Sequence, residues 1–241
     1  MIDFHDVTFS YTKRSRTVEG LTMRVPQGQA LALLGHNGAG KTTTLRLMMG
    51  LLRPHSGDIR VGGFMPGSSH TPRGMVAYMP ETTGVYEKLT GFQNLEFRAR
   101  AAWVQPERIR GLSEQWLSRL GLLQKGDERA GFWSKGMKQR LSLACALISQ
   151  PKLLLLDEPT NGLDPESLAV VVRLLQELHD EGTTIVLSSH DLHSVHQICA
   201  QAVILQNGRC VYAGSLEGNA ESLRETYLQV TTSEHNAGVS Q

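Results

Sequence analysis

Eight residues, GHNGAGKT from Gly35 to Thr42, carry what is needed to hold a chain of phosphates. Glycines at 35, 38 and 40 let a loop close tightly enough for successive backbone N–H groups to converge on phosphate oxygens. Lys41 offers a cation to the terminal phosphates, and the Thr42 hydroxyl can ligate Mg²⁺. The pattern G-x-x-x-x-G-K-[ST] arises by chance in a chain of this size on the order of 1% of the time at average residue usage. Its flanks lower that further. QALALLG before it is a short apolar run suited to a buried strand, and TTTLRLMMGLL after it has helical periodicity.

A second group of residues could act on what the loop holds. LLLLDEP places Asp157 and Glu158 at the end of an apolar strand, 115 residues beyond Thr42. Asp157 can hold Mg²⁺ through water. Glu158, expected on the opposite side of the pleat, can accept a proton from an attacking water. An apolar run ending in two acids is weak evidence by itself; behind a phosphate loop it supplies the metal ligand and the base that hydrolysis needs. His190 ends a further strand, TTIVLSSH. A histidine there is ordinarily a cap or a surface residue, but beside a terminal phosphate it can donate to that phosphate or to Glu158.

A third stretch, WSKGMKQRLSLACAL (residues 133–147), opens an amphipathic helix with Ser134 and Gly136 and crowds Lys135, Lys138 and Arg140 into its first turns. Helix N-termini favour anions, so acids are the usual residues there. Basic ones suggest an anion brought from elsewhere. The loop already has Lys41, so a second anion site implies a second phosphate-bearing ligand.

These groups must be positioned by a mainly parallel sheet. IDFHDVTF and TVEGLTMRV read as half-buried strands, LRLMMGLL ends at a turn cluster RPHSGD, and MVAYMP is a strand stopped by Pro80. From about residue 91 to 150 the texture is helical. Strand and helix then alternate through KLLLLDEP, PESLAVVVRLLQELHDEG, TTIVLSSH and DLHSVHQICA, and AVILQNGRCVYAG reads as a hairpin through Asn207-Gly208. Such alternation implies an α/β fold with a helical block inserted in it. The expected layout is an α/β domain over residues 1–218, with the helical insertion at about 91–150. A C-terminal helix and a polar, disordered tail are expected over 219–241.

Composition weighs against some functions. A formal net charge of +1 gives no electrostatic footprint for nucleic acid, and no nucleic-acid partner is expected. LALL, LMMGLL and LLLL fall far short of the roughly 20 apolar residues of a membrane span, so a membrane role must come from another chain. Cys145, Cys199 and Cys210 lack metal-ligand spacing and cannot all pair, which suits a reduced, cytosolic setting.

Taken together, GHNGAGKTT, LLLLDEP, NGLD, His190 and SKGM resemble the ATP-binding subunits of ABC transporters, in the family's motif order from residue 2 to about 215. The resemblance implies a P-loop NTPase fold with a mainly parallel core sheet, an N-terminal antiparallel β-subdomain and an inserted α-helical subdomain. It implies a Mg²⁺-dependent ATPase. Gly35, His36, Asn37, Gly38, Ala39, Gly40, Lys41, Thr42 and Thr43 then form the Walker A cradle, and Tyr11 stacks on adenine. Asp157, Thr42 and Glu81 serve the metal, with Glu158, His190 and Glu81 in the catalytic roles. Ser134, Gly136 and Asp164 contact ATP held by a second, head-to-tail subunit, normally an identical copy.

Three motifs depart from the family pattern. Lys135 and Met137 replace a glycine and a glutamine of the signature, Glu81 replaces a glutamine, and Asn161 replaces a serine. Glu158, His190, Ser134 and Gly136 are intact, which implies a working enzyme rather than a regulatory subunit without turnover. PE with SKGM is most similar to the branch serving export permeases, and the ATPase of a copper-site maturation system shares that signature. Soluble ABC ATPases of translation or repair usually carry two cassettes or a coiled-coil insertion, and neither is present. An integral membrane permease is the implied partner, holding the chain at the inner face of the cell membrane. Val85, Tyr86, Leu89 and Phe92 could line a groove for a permease helix, or could be local core.

Overall fold

The computed structural model describes residues 1–12 and 17–216, together with residues 221, 224, 225 and 227–229. The polar tail and most of the expected C-terminal helix lie outside the described residues, as do Lys13 to Arg16 of the basic turn.

Two sheets share one chain. β1 (Ile2–Phe9), β2 (Val18–Val25) and β4 (Ser56–Val61) form a three-stranded antiparallel sheet in the order β2-β1-β4. β4 overturns the reading of RPHSGD as turn only. Ser56, Gly57 and Asp58 are turn formers, yet Ser56 and Asp58 pair with Thr8 and His5 of β1, and Ile59 and Val61 are buried. A partner 48 residues away in sequence overrode local propensity.

The second sheet has the order β5-β6-β7-β3-β8-β9, with β3 (Ala30–Leu34), β5 (Val76–Met79), β6 (Leu153–Asp157), β7 (Thr184–Ser189), β8 (Gln201–Gln206) and β9 (Arg209–Ser215). Its pairings are parallel except β8 with β9, which turn back through Asn207 and Gly208 at φ 51 and 82. Both residues are left-handed, as a two-residue hairpin turn requires. β3, β6 and β7 are buried along their whole lengths, which is why they read as continuous apolar runs rather than alternating ones.

Alternate side chains of these strands feed two cores. Ala30, Ala32 and Leu34 of β3 join Leu154 and Leu156 of β6 in one cluster with the helices α2 (Gly91–Ala101), α3 (Pro106–Arg119), α4 (Lys135–Leu147), α5 (Pro165–Asp180) and α6 (Leu192–Ile198). Leu31 and Leu33, with Leu153 and Leu155, face α1 (Lys41–Met49) and the antiparallel sheet. α2 to α4 lie between β5 and β6 in the chain. α2 begins with a capping box between Thr90 and Gln93. α5 begins with Asp164 at its N-cap and Pro165 in its first turn, then buries Val171, Val172, Leu174, Leu175 and Leu178 on one face. Each such side chain contributes about 1.5–3 kcal/mol, so packing rather than propensity holds α5.

Candidate nucleotide site

Adjacent strands β6, β7 and β3 run parallel, with Asp157 opposite Ser188 and Leu34 opposite Ser189. Their C-terminal ends therefore deliver Glu158, His190 and the Gly35–Thr42 loop side by side. That edge is where open parallel sheets bind ligands.

The loop's glycines are required by its path. Gly35 has φ 149, and a Cβ there would sit 2.9 Å from that of Ala39; Gly40 has φ 107, and its Cβ would meet the Thr17 carbonyl at 2.6 Å. At Gly38 a Cβ would meet nothing within 4 Å, so the loop is open on that side. α1 begins directly at Lys41, and no side chain caps its N-terminus. Its first N–H groups are left for an external acceptor, which fits a phosphate. Lys41 is buried, donating to the Gly35 carbonyl at 2.7 Å, and its ammonium lies 3.6 Å from Glu158 Oε1.

Asp157 is held on both oxygens. Its Oδ1 accepts from the Ser188 hydroxyl at 2.6 Å and from Thr42 Oγ1 at 3.1 Å, and its Oδ2 accepts from the Tyr78 hydroxyl at 3.1 Å. The Thr42 hydroxyl beside a buried carboxylate is a pair of hard oxygen donors, which suits Mg²⁺. Burial, and then the Asp157 charge, push the Tyr78 hydroxyl up to about 12, so it stays protonated and donates.

Glu158 is not set by the strand's pleat. Its φ is 50, a left-handed conformation that costs a non-glycine residue roughly 1–2 kcal/mol. Its N–H is fixed by the Ser188 carbonyl at 3.2 Å and the Ser188 hydroxyl at 3.0 Å. The turn aims the carboxylate at Lys41 on one side and at His190 Nδ1, 2.9 Å from Oε2, on the other. The sequence-based expectation that Glu158 points away along the pleat is corrected in its cause: a strained turn does the aiming.

A cleft of about 440 Å³ is lined by Tyr11, Thr17, residues 36–43, Glu81, Glu158, Asn161 and His190. Tyr11 and Glu81, far apart in sequence, thus meet the phosphate loop. Ser134, Gly136 and Asp164 do not line this cleft. The Ser134 hydroxyl caps α4 by accepting from the Met137 N–H at 3.2 Å, and Asp164 accepts from the Ser167 N–H and hydroxyl at 2.9 and 2.8 Å. These bonds hold the Asp164 carboxyl below its ordinary range. Gly136 packs on the same corner, where a Cβ would meet Ser167 Oγ at 2.9 Å.

Of the three cations that open α4, Lys138 pairs with Glu87 at 2.6 Å and Arg140 donates to the Leu120 carbonyl at 2.8 Å. Those two have partners inside the chain, so these side chains do not themselves point to an anion from elsewhere. Lys135 makes no ion pair among the described residues and lies against Gly162. Sequence reasoning missed Ser188 and Tyr78. Ser188 sits opposite Asp157 in the β6–β7 register, a signal readable once those strands are paired.

The ABC transporter family profile matches residues 18–161. Among curated relatives, the ABC transporter ATP-binding protein NatA of Bacillus subtilis is 34% identical over 88% of this chain and 87% of its own. The chain belongs to the ABC transporter family, as an ATP-binding subunit. The Nod factor export ATP-binding protein I of Paraburkholderia xenovorans is also 34% identical, over 89% of this chain and 70% of its own. A solved ATP-binding subunit of an ABC transporter superposes with TM-score 0.86 at 31% identity, covering 96% of this chain and 99% of that one. The dimeric, ADP- and Pi-bound ATP-binding cassette MJ0796 shares the fold at TM-score 0.82 and 21% identity, over 90% of this chain and 100% of that one. The ABC ATPase is thus a P-loop α/β protein with a parallel core sheet, an antiparallel sheet and a helical block.

Proposed function

We propose that this ABC ATPase hydrolyses MgATP as a head-to-tail pair with a second copy and drives a separate export permease. The observation that carries the reading is Glu158, a buried carboxylate at the lip of the phosphate cleft, held between Lys41 and His190. In this reading Glu158 takes the proton of the attacking water, and His190 orients that carboxylate and donates to the terminal phosphate. Lys41 exchanges the Gly35 carbonyl and Glu158 for oxygens of the β- and γ-phosphates. The N–H groups of Gly35 to Thr43 surround the phosphates, and the Tyr11 ring lies against adenine. Thr42 and Asp157 would hold Mg²⁺, with Glu81 beside its water shell, and the ion would neutralise charge on the phosphates. The cassette is residues 1–218, with a helical subdomain at about 91–150.

Ser134, Gly136 and the α4 N-terminus, braced by Asp164, face the ATP of the second copy. Their exclusion from this chain's own cleft supports that assignment. Relatives named for Nod factor export and linearmycin resistance, the latter 29% identical, support the export direction. Among the described residues no helix is long and apolar enough to cross a membrane; in this reading the permease spans it and holds the subunit at its cytoplasmic face. Val85 and Phe92 pack against the core, whereas Tyr86 is exposed and meets exposed Phe97 edge-on at 4.9 Å. Tyr86, with half-buried Leu89, is the part of the expected groove left to receive a permease helix.

Cysteine crosslinking tests the shared site. In a background lacking Cys145, Cys199 and Cys210, Asn37→Cys on one chain and Ser134→Cys on another should crosslink in an ATP-promoted way. A crosslink only within one chain, or none with ATP bound, would overturn the pairing. Purification from membranes should bring the permease with it.

A further inference from the structure

The strained turn at Glu158 is held from two sides. Its N–H is fixed from β7 by the Ser188 carbonyl and hydroxyl. Its other side faces α4, where the Gln139 side chain is 3% exposed. Gln139 Nε2 donates to the Glu158 carbonyl at 3.4 Å and to the Pro159 carbonyl at 3.3 Å. One amide group carries two hydrogens, so it can serve two adjacent carbonyls at once. Both bonds are long, but they are buried, so water does not replace either. Pro159 has no N–H, and its backbone can be hydrogen-bonded only through that carbonyl. The direction of the Glu158 Cα–Cβ bond is set by the two peptide planes that flank it. Ser188 holds the one before, and Gln139 the one after. A left-handed residue other than glycine persists only where its surroundings over-determine it.

Gln139 also shares a helix face with Gly136, three residues earlier. On that face a Cβ at Gly136 would meet Ser167 Oγ at 2.9 Å and Asp164 Oδ2 at 3.2 Å. The first turns of α4 are thus seated on the chain that runs from Glu158 to Ser167. We propose that Gln139 is a positioning residue for Glu158: its amide holds the peptide after the base, while the same helix presents Ser134 outward. The inference rests on the reading of Glu158 as the base. It adds that the helix serving the second copy's ATP also sets the group acting on this chain's own, through one buried side chain.

The test compares Gln139→Met, Glu158→Gln and the double variant in the full chain, with melting temperature as the folding control. Gln139→Met keeps the length of the side chain and removes the donor. Its kcat should fall about ten- to a hundredfold with KM for ATP within about twofold, as when a reacting group is misplaced by roughly an ångström and substrate binding is spared. In the Glu158→Gln background the same change should cost less than about twofold, because the group it positions is already disabled. A packing role would lower turnover by its full factor in both backgrounds, and that result would overturn the inference. So would unaltered turnover in Gln139→Met. ATP-induced pairing of the Glu158→Gln chain should survive the second change; if it is lost, Gln139 serves the Ser134 end of α4 and the inference is wrong. Near-normal hydrolysis by Glu158→Gln alone would instead sink the reading of the base, and this inference with it. Should Gln139→Met fail to fold, Gln139→Glu decides, because it is equal in size and donates only when its carboxyl is protonated. Its turnover relative to the unaltered chain should climb as pH is lowered from about 8 to about 6, the range into which burial lifts a carboxyl. A ratio that stays flat, or that rises only as the melting temperature recovers, would overturn the inference.

Discussion

At the Glu158 corner Lys41 and Asp157 are buried and spoken for within the chain, whereas around Ser134 the surface looks outward. Lys41, Asp157 and Glu158 are all under a tenth exposed, and each has hydrogen-bond or ion-pair partners from other segments. Ser134 and Lys135 are exposed, and the serine's recorded partner is an N–H of its own helix. The first corner is preorganised and needs only a ligand. The second is shaped, with Gly136 pressed on Ser167 and Asp164 locked in a cap, but it has nothing of this chain to act on. Two half-sites with different degrees of completion are what a shared site requires of each copy.

The largest break in this comparison comes at the completed corner. Glu158→Gln keeps the shape and the His190 contact but removes the base. Turnover should fall about 10²–10⁴-fold with ATP affinity kept, and an ATP-bound pair should accumulate on size-exclusion chromatography. Near-normal hydrolysis in the purified variant would refute the role.

Ser134→Arg sharpens the contrast from the other side. Overpacking an interface by about 1–3 kcal/mol weakens pairing roughly ten- to hundredfold, so ATP-induced pairing and hydrolysis should drop together. Single-chain affinity for a fluorescent ATP analogue should stay at the wild-type value, because Ser134 does not line the cleft. A loss of affinity equal to that of Lys41→Ala would mean that both corners serve one nucleotide.

A smaller effect on the isolated subunit is expected at Tyr86, which belongs to neither corner. Tyr86→Glu should leave stability within about 0.5 kcal/mol, as for most surface changes, and leave basal ATPase in place while transport by the assembled complex fails. A large fall in melting temperature would make Tyr86 a core residue.

The smallest shift concerns Asp164. Its carboxyl is held below the ordinary 3.8 by the Ser167 N–H and hydroxyl, so the unfolded chain binds the proton more readily. The contribution is therefore present above pH of about 4 and lost as pH falls through the lowered folded value. Asp164→Asn keeps a cap acceptor but does not titrate, so the stability gap between the two chains should close on acidification. Urea melts at a few pH values would show it; a gap that widens toward acid would contradict the cap.

The parallel core was readable because LALL, LLLL and TIVLSS are buried on both faces and carry no competing pattern. The Asn207-Gly208 hairpin and the Asp164-Pro165 helix start were readable because their chemistry is local. β4 was not, since Ser56, Gly57 and Asp58 read as a turn until β1 pairs with them. The phosphate loop was legible from spacing alone. The Tyr78 hydroxyl on Asp157 joins residues 79 apart, with no local trace of the contact. The aim of Glu158 depends on a left-handed turn pinned by Ser188 on the next strand, which no pattern around residue 158 announces.

β3 carries a consequence for how the molecule comes apart. Its Ala30, Ala32 and Leu34 belong to one apolar cluster, and its Leu31 and Leu33 to the other, with β7 and β8 hydrogen-bonded on either side. Neither cluster can open without exposing the wall that it shares with its neighbour. The helical side and the antiparallel side should therefore melt as one cooperative unit, and the amides of Leu31 to Leu34 should exchange with deuterium only through global opening. The phosphate loop, tethered to the end of this strand at Gly35, is anchored to the last part of the fold to yield.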